Sequence, residues 1–84
     1  MSKRTVRKSV AVAYDQSLPA PVVVAKGTGL MAARIDSLAR QSGVPVVSDP
    51  VLVAGLEPVD VGAYVPVEYW ELVARVLIFI RNVR

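Results

Sequence analysis

Lys26-Gly27-Thr28-Gly29 holds the residue types in this chain that come nearest to chemistry. Glycines between a β-branched run and a helical pattern suit a phosphate cradle, because a helix N-terminus presents unpaired N–H groups to an anion. The order is wrong for that role. A phosphate loop reads Gly-Lys-Ser/Thr after an earlier glycine, whereas Lys26 precedes Gly27 and no glycine lies upstream. Three spaced glycines, the dinucleotide pattern, are absent too, so a tight turn and a helix cap are the better reading. Ser9, Ser17, Ser37, Ser42 and Ser48 have no histidine to activate them, because the chain has no His. The absence of Cys excludes a disulfide framework, a thiol nucleophile and, with no His, any ordinary zinc site. Asp15, Asp36, Asp49, Glu57, Asp60, Glu68 and Glu71 form neither a metal-ligand spacing nor a carboxylate pair suited to acid–base work. The expectation is a binding module: not an enzyme, with no catalytic residue, no cofactor and no metal.

The elements that carry these residues read as strand, strand, helix, strand, helix, strand, helix. Val6, Lys8, Val10, Val12 and Tyr14 alternate with polar or small residues, which predicts a strand over 6–14 with Val10, Val12 and Tyr14 buried. Pro21 opens a second strand through Val22, Val23 and Val24. Thr28 is then the expected N-cap of a helix over 30–41, with Met31, Ile35, Leu38 and Ala39 as its inward stripe and Gly43 as its stop. A third strand is expected over 44–47, parallel to the second through a right-handed crossover. Asp49-Pro50 caps a short helix over 50–54. A fourth strand follows over 59–61, and Pro66 opens a last helix to about residue 82.

A chain of 84 residues makes one small domain that buries roughly 60% of its unfolded surface. The net charge of +3 is uneven, since Lys3, Arg4, Arg7 and Lys8 carry four of the ten positive charges. From Ser9 onward six bases face seven acids. The division expected is a basic N-terminal arm over residues 1–8 and a near-neutral domain over 9–84. Such an arm suits an anionic surface or nucleic acid, although no aromatic lies among its bases to stack on a nucleotide. No secretory signal is expected, since the residues after Met1 are charged, and the apolar stretch 72–80 is short of the about 20 residues a bilayer span needs. Most of the last helix is apolar: Glu68, Glu71, Arg75 and Arg81 are its polar residues, the first three giving one narrow wet stripe, and Tyr69, Leu72, Val73, Ala74, Val76, Leu77, Ile78, Phe79 and Ile80 cover nearly everything else. One face on a sheet needs about 100° of apolar surface, so either a neighbour buries the excess or a patch is left for a partner.

The wording of the chain adds to this pattern. Tyr14-Asp15, Ala20-Pro21-x-Val23-Val24-Ala25-Lys26-Gly27, Leu30 and Ala33-Arg34-Ile35 closely resemble the cytoplasmic domain of the FlhB family, the export-switch proteins of flagella and type III secretion injectisomes. The resemblance continues through Val44-Pro45-Val46, Pro50-x-Leu52, Asp60-Val61-Gly62 and Val65-Pro66, and covers about residues 9–80. It implies an α/β domain: a small four-stranded mixed sheet with a strand–helix–strand crossover, surrounded by about four helices. Family members cut themselves at an Asn-Pro-Thr-His motif; counting back from Tyr14, those positions hold Arg4-Thr5-Val6-Arg7. Arg4 has no amide to cyclise, so self-cleavage is not expected, and the chain resembles a free-standing version of the family's released C-terminal fragment.

In flagellar members early export substrates dock on a small apolar patch, whose residues match Ala20, Pro21, Ala74 and Leu77. The resemblance therefore implies a cytoplasmic, non-enzymatic component or modulator of the bacterial flagellar type III export gate, ahead of an injectisome, standing in for the C-terminal fragment of FlhB. Its partners would be export substrates and gate proteins, with no small-molecule substrate and at most a peripheral place at the membrane apparatus. The alternative is an anionic-surface or nucleic-acid binder acting through the arm.

Overall fold

A hairpin of two antiparallel strands carries everything else. The computed structural model describes residues 7–82, with side chains as far as residue 78. Strand β1 (Lys8–Ala13) pairs with β2 (Val22–Thr28). Helices α1 (Leu30–Gln41) and α2 (Pro50–Leu56) follow. A 3-10 turn over Val67–Tyr69 then leads directly into α3 (Trp70–Asn82).

The hairpin register explains the unbroken run of three valines. Lys26 lies opposite Val10 and Ala25 opposite Ala11, but Val12 faces Val23, leaving Val24 as an extra residue. This bulge resets the alternation of β2. Val23 and Lys26 thereby share the face of Val10 and Val12, since opposed residues point the same way. That face meets the core of Val23, Leu52, Leu56, Val65 and Val73. The other face carries Ser9, Ala11, Ala25 and Gly27, small residues that let α1 approach closely.

The close approach of α1 rearranges the stripe expected for it. Ala32 and Asp36 are its buried residues, while Met31 and Leu38 are exposed. A sheet face of alanine, serine and glycine leaves room for a methyl group, not for methionine or leucine. Thr28 does not cap α1 either; it is the last residue of β2. The cap is Gly29, whose φ of 62° is a left-handed conformation open to glycine. Gly29 also donates its N–H to the Arg7 carbonyl at 2.7 Å. The stop at Gly43 is as expected. So is the cap of α2, where Asp49 Oδ1 accepts from Leu52 N at 3.0 Å with Pro50 in the first turn.

Among the described residues two of the four expected strands do not form, nor does the parallel crossover, and the about four expected helices are three; the fold is mixed α and β with a two-stranded sheet and three α-helices. Val44 donates its N–H to Ala39 O, closing the end of α1, and Pro45 has no N–H to offer a neighbour. Val44 and Val46 consequently stay exposed. Residues 59–61 turn rather than extend, with Val59 N bonded to Leu56 O. The chain meets β2 slightly later: Gly62 N reaches Val23 O, Val23 N reaches Ala63 O, and Val65 N reaches Pro21 O. The result is a single antiparallel bridge, Val22 to Tyr64. Tyr14, expected inside, lies just past β1 and is half-exposed.

Candidate functional site: an apolar groove between β2 and α3

Lys26 settles the first question about chemistry. Its ammonium donates to Glu57 O at 2.9 Å and Val59 O at 2.6 Å. These carbonyls sit at the C-terminal end of α2, where the helix dipole favours a cation. Lys26 therefore ties β2 to α2 rather than facing the N-terminus of α1, where a phosphate would sit. Lys26→Met keeps the aliphatic stem and removes both bonds, and should cost about 1–2 kcal/mol in a urea titration. A loss indistinguishable from zero would mean that the ammonium holds nothing in place.

The first described bases are also engaged. Lys8 Nζ donates to Glu57 Oε2 at 2.8 Å. Arg7 Nη2 and Ser9 Oγ both donate to the Asp36 carboxylate. The Ser9 hydroxyl, ahead of Arg7 and against the opposing effect of burial, holds the Asp36 carboxyl below the usual carboxylate range. The stability this confers is fully present above the unfolded value of about 3.9 and disappears as pH falls through the lower folded value. Asp36→Asn should therefore lower stability at neutral pH and flatten the acid limb of the stability profile, read by thermal melts across pH. An unchanged acid limb would count against the linkage. Of the arm, residues 1–6 lie outside the described residues, and so do Arg4-Thr5-Val6 of the cleavage-motif comparison.

Ala20, Pro21, Ala74 and Leu77 come together. They line one groove of about 230 Å³, completed by Tyr14, Pro19, Trp70 and Val73. Its near wall is the entry to β2, where Ala20 and Pro21 are buried. Its far wall is α3, on which residues 70, 73, 74 and 77 share one face at i, i+3, i+4 and i+7 spacing. Trp70 is held in place, because its Nε1 donates to Val65 O at 2.8 Å. That bond leaves the indole ring half-exposed as a rigid wall with its polar atom spent. Among the described residues no charged side chain lines the groove, which suits an apolar side chain or short apolar segment. The excess apolar surface of α3 is thus divided: Val73 enters the core, while Leu77 and Ile78 stay exposed.

Sequence reasoning missed four of these lining residues. The strand alternation points Tyr14 inward, and the pattern of α3 shows Val73 only as one of many apolar residues. Trp70, the single tryptophan, was recoverable from its position one turn before Ala74.

A small hairpin with helices on both faces defines a class already seen in solved structures. The chain superposes on the C-terminal domain of PscU with a TM-score of 0.82 and 27% identity, covering 87% of this chain and 95% of that one. The cytoplasmic domain of FlhB from Shewanella putrefaciens gives 0.86 and 32%, over 92% and 66% of the two chains. The FlhB HrpN YscU SpaS family model matches residues 6–80, and the chain belongs to that family. Among relatives, the flagellar biosynthetic protein FlhB of Escherichia coli is 38% identical over 74 residues, which are 86% of this chain and 19% of that protein. YlqH of Bacillus subtilis, an uncharacterised protein, is 38% identical over 76 residues, 89% of this chain and 82% of its own length. The chain thus spans about a fifth of the length of the FlhB proteins it matches. Among the described residues no helix is long and apolar enough to cross a membrane.

Proposed function

We propose that this domain serves flagellar or type III protein export without catalysing a reaction, by holding apolar segments of export substrates or export-gate proteins in the groove between β2 and α3. One observation carries the reading. Ala20 and Pro21 lie more than fifty positions from Ala74 and Leu77, yet all four line the same groove. In such a role the domain works on the cytoplasmic side and takes the place of the C-terminal fragment of a full-length FlhB.

A pull-down with early hook and rod substrates tests this. Leu77 is partly exposed, so Leu77→Asp should keep the circular dichroism spectrum of the wild type. Setting an unpaired carboxylate against the apolar partner should weaken capture at least about tenfold. Trp70 offers a direct readout, because an occupant of the groove should shift its emission, and Leu77→Asp should abolish that shift. Capture unchanged by Leu77→Asp would remove the groove from the function.

A further inference from the structure

Exposed cationic and apolar side chains coincide on α1. Residues 1–48 contain seven bases and two acids, net +5, whereas residues 49–84 contain five acids and three bases, net −2. The hairpin and α1 come from the first part, α2 and α3 from the second. Lys8 and Lys26 are used on the α2 side, bonded at its C-terminal end. On α1 the one acid, Asp36, is buried and bonded to Arg7 and Ser9. Its exposed charges are Arg34 and Arg40; neither makes a close ion pair among the described residues, although Arg40, one turn beyond Asp36, acts on that buried carboxylate.

The helix face that holds Arg34 is apolar, while Arg40, six residues on, lies about 120° around the helix on its flank. Leu30, Arg34 and Leu38 follow at i, i+4 and i+8, with Met31 beside them. Leu30 is 90%, Met31 54% and Leu38 56% exposed. These side chains stand on a convex ridge, away from the groove on α3. A rigid protein partner would need a matching trough for such a ridge. A lipid interface deforms around it, taking up the apolar side chains while long cationic ones reach the headgroups.

We infer that the outward face of α1 rests on an anionic lipid surface. Leu30, Met31 and Leu38 enter the boundary between headgroups and acyl chains, Arg34 meets lipid phosphates among them, and Arg40 reaches phosphates from the flank of the helix. This contact leaves the groove open, so it would place the domain beside a membrane while a partner is held.

Cosedimentation of the full chain with phosphatidylcholine vesicles, with and without phosphatidylglycerol, tests the inference. Binding is expected to the anionic vesicles and to decline with added salt. Leu30→Gln with Leu38→Gln, and separately Arg34→Gln with Arg40→Gln, should each weaken it about tenfold. All four positions are exposed, so the variants should retain the wild-type circular dichroism spectrum. Absence of binding to anionic vesicles overturns the inference. So does binding that survives both double variants but vanishes with Lys3→Ala and Arg4→Ala, which would assign it to the arm. Vesicle binding lost in Leu77→Asp alone would place the lipid in the groove and equally overturn it. Loss of a captured acidic protein in the α1 variants, with vesicle binding intact, would make the face a protein interface instead.

Discussion

Gly27→Ala should destabilise the domain by about 3 kcal/mol and lower its melting midpoint by roughly 10–20 °C. The reason is what a single added methyl group would meet. A Cβ on Gly27 would lie 2.8 Å from Met31 Cβ, 2.9 Å from Met31 C and 3.0 Å from Ala32 N. Two of these are backbone atoms in the first turns of α1, so no rotamer change can relieve the contact. The helix would have to lift from the sheet, pulling Ala32 from its fully buried place and loosening the bonds of Asp36 to Ser9 and Arg7. Gly55→Ala is the control. Its Cβ would strike only the far end of the Tyr69 side chain and no backbone, so a rotation of that partly buried ring away from the core makes room. Alanine also favours a helix by about 1 kcal/mol over glycine, offsetting part of that movement. Thermal melts of the two variants should separate widely. Equal melting points would mean that α1 does not sit tightly against Gly27.

The same contact shows why the sequence conveyed some features of the fold and not others. The bounds of α1, its stop at Gly43 and the Asp49-Pro50 start of α2 follow from local backbone preferences, and local preferences are legible in a single chain. Which face of α1 points inward is not local. Putting large apolar residues inside and charges outside fails here because the opposing sheet face is built of Ser9, Ala11, Ala25 and Gly27, which admit only Ala32 and a carboxylate already paired. The unformed third strand has a related cause. Val44-Pro45-Val46-Val47 has strand composition, but composition does not supply a neighbour with free hydrogen-bonding groups, and Pro45 removes one of the segment's own.

The groove was legible for a different reason. Spacing could relate Ala74 to Leu77 on one helix, but nothing in periodicity joins them to Ala20 and Pro21. The likeness in wording to a known family made that connection. The aromatic residues Tyr14 and Trp70 escaped because the strand pattern placed Tyr14 in the core, and a tryptophan at the start of an apolar helix looks like packing.

Leu56→Ala should cost about 3 kcal/mol, within the 2–5 kcal/mol typical of emptying a leucine site. Leu56 is 1% exposed at the end of α2 and packs with Val23, Leu52, Val65 and Val73. At about 0.05–0.15 kcal/mol per residue, a domain of this size has only about 4–12 kcal/mol of total stability. The site has little means of collapsing to fill the gap: Val23 is held by the hairpin register, Val65 by its bond to Pro21 O, and α2 by Lys26. A urea titration should show a lower midpoint with an unchanged slope, because the folded and unfolded states expose nearly the same surface as before. Val73 makes the consequence functional, since it belongs to this core and also lines the groove. If the core sets the groove's shape, Leu56→Ala should weaken partner capture even at a temperature where the variant remains folded, while Gly55→Ala should not. Capture unchanged in folded Leu56→Ala would mean that the wall formed by α3 keeps its position independently of the core beneath it.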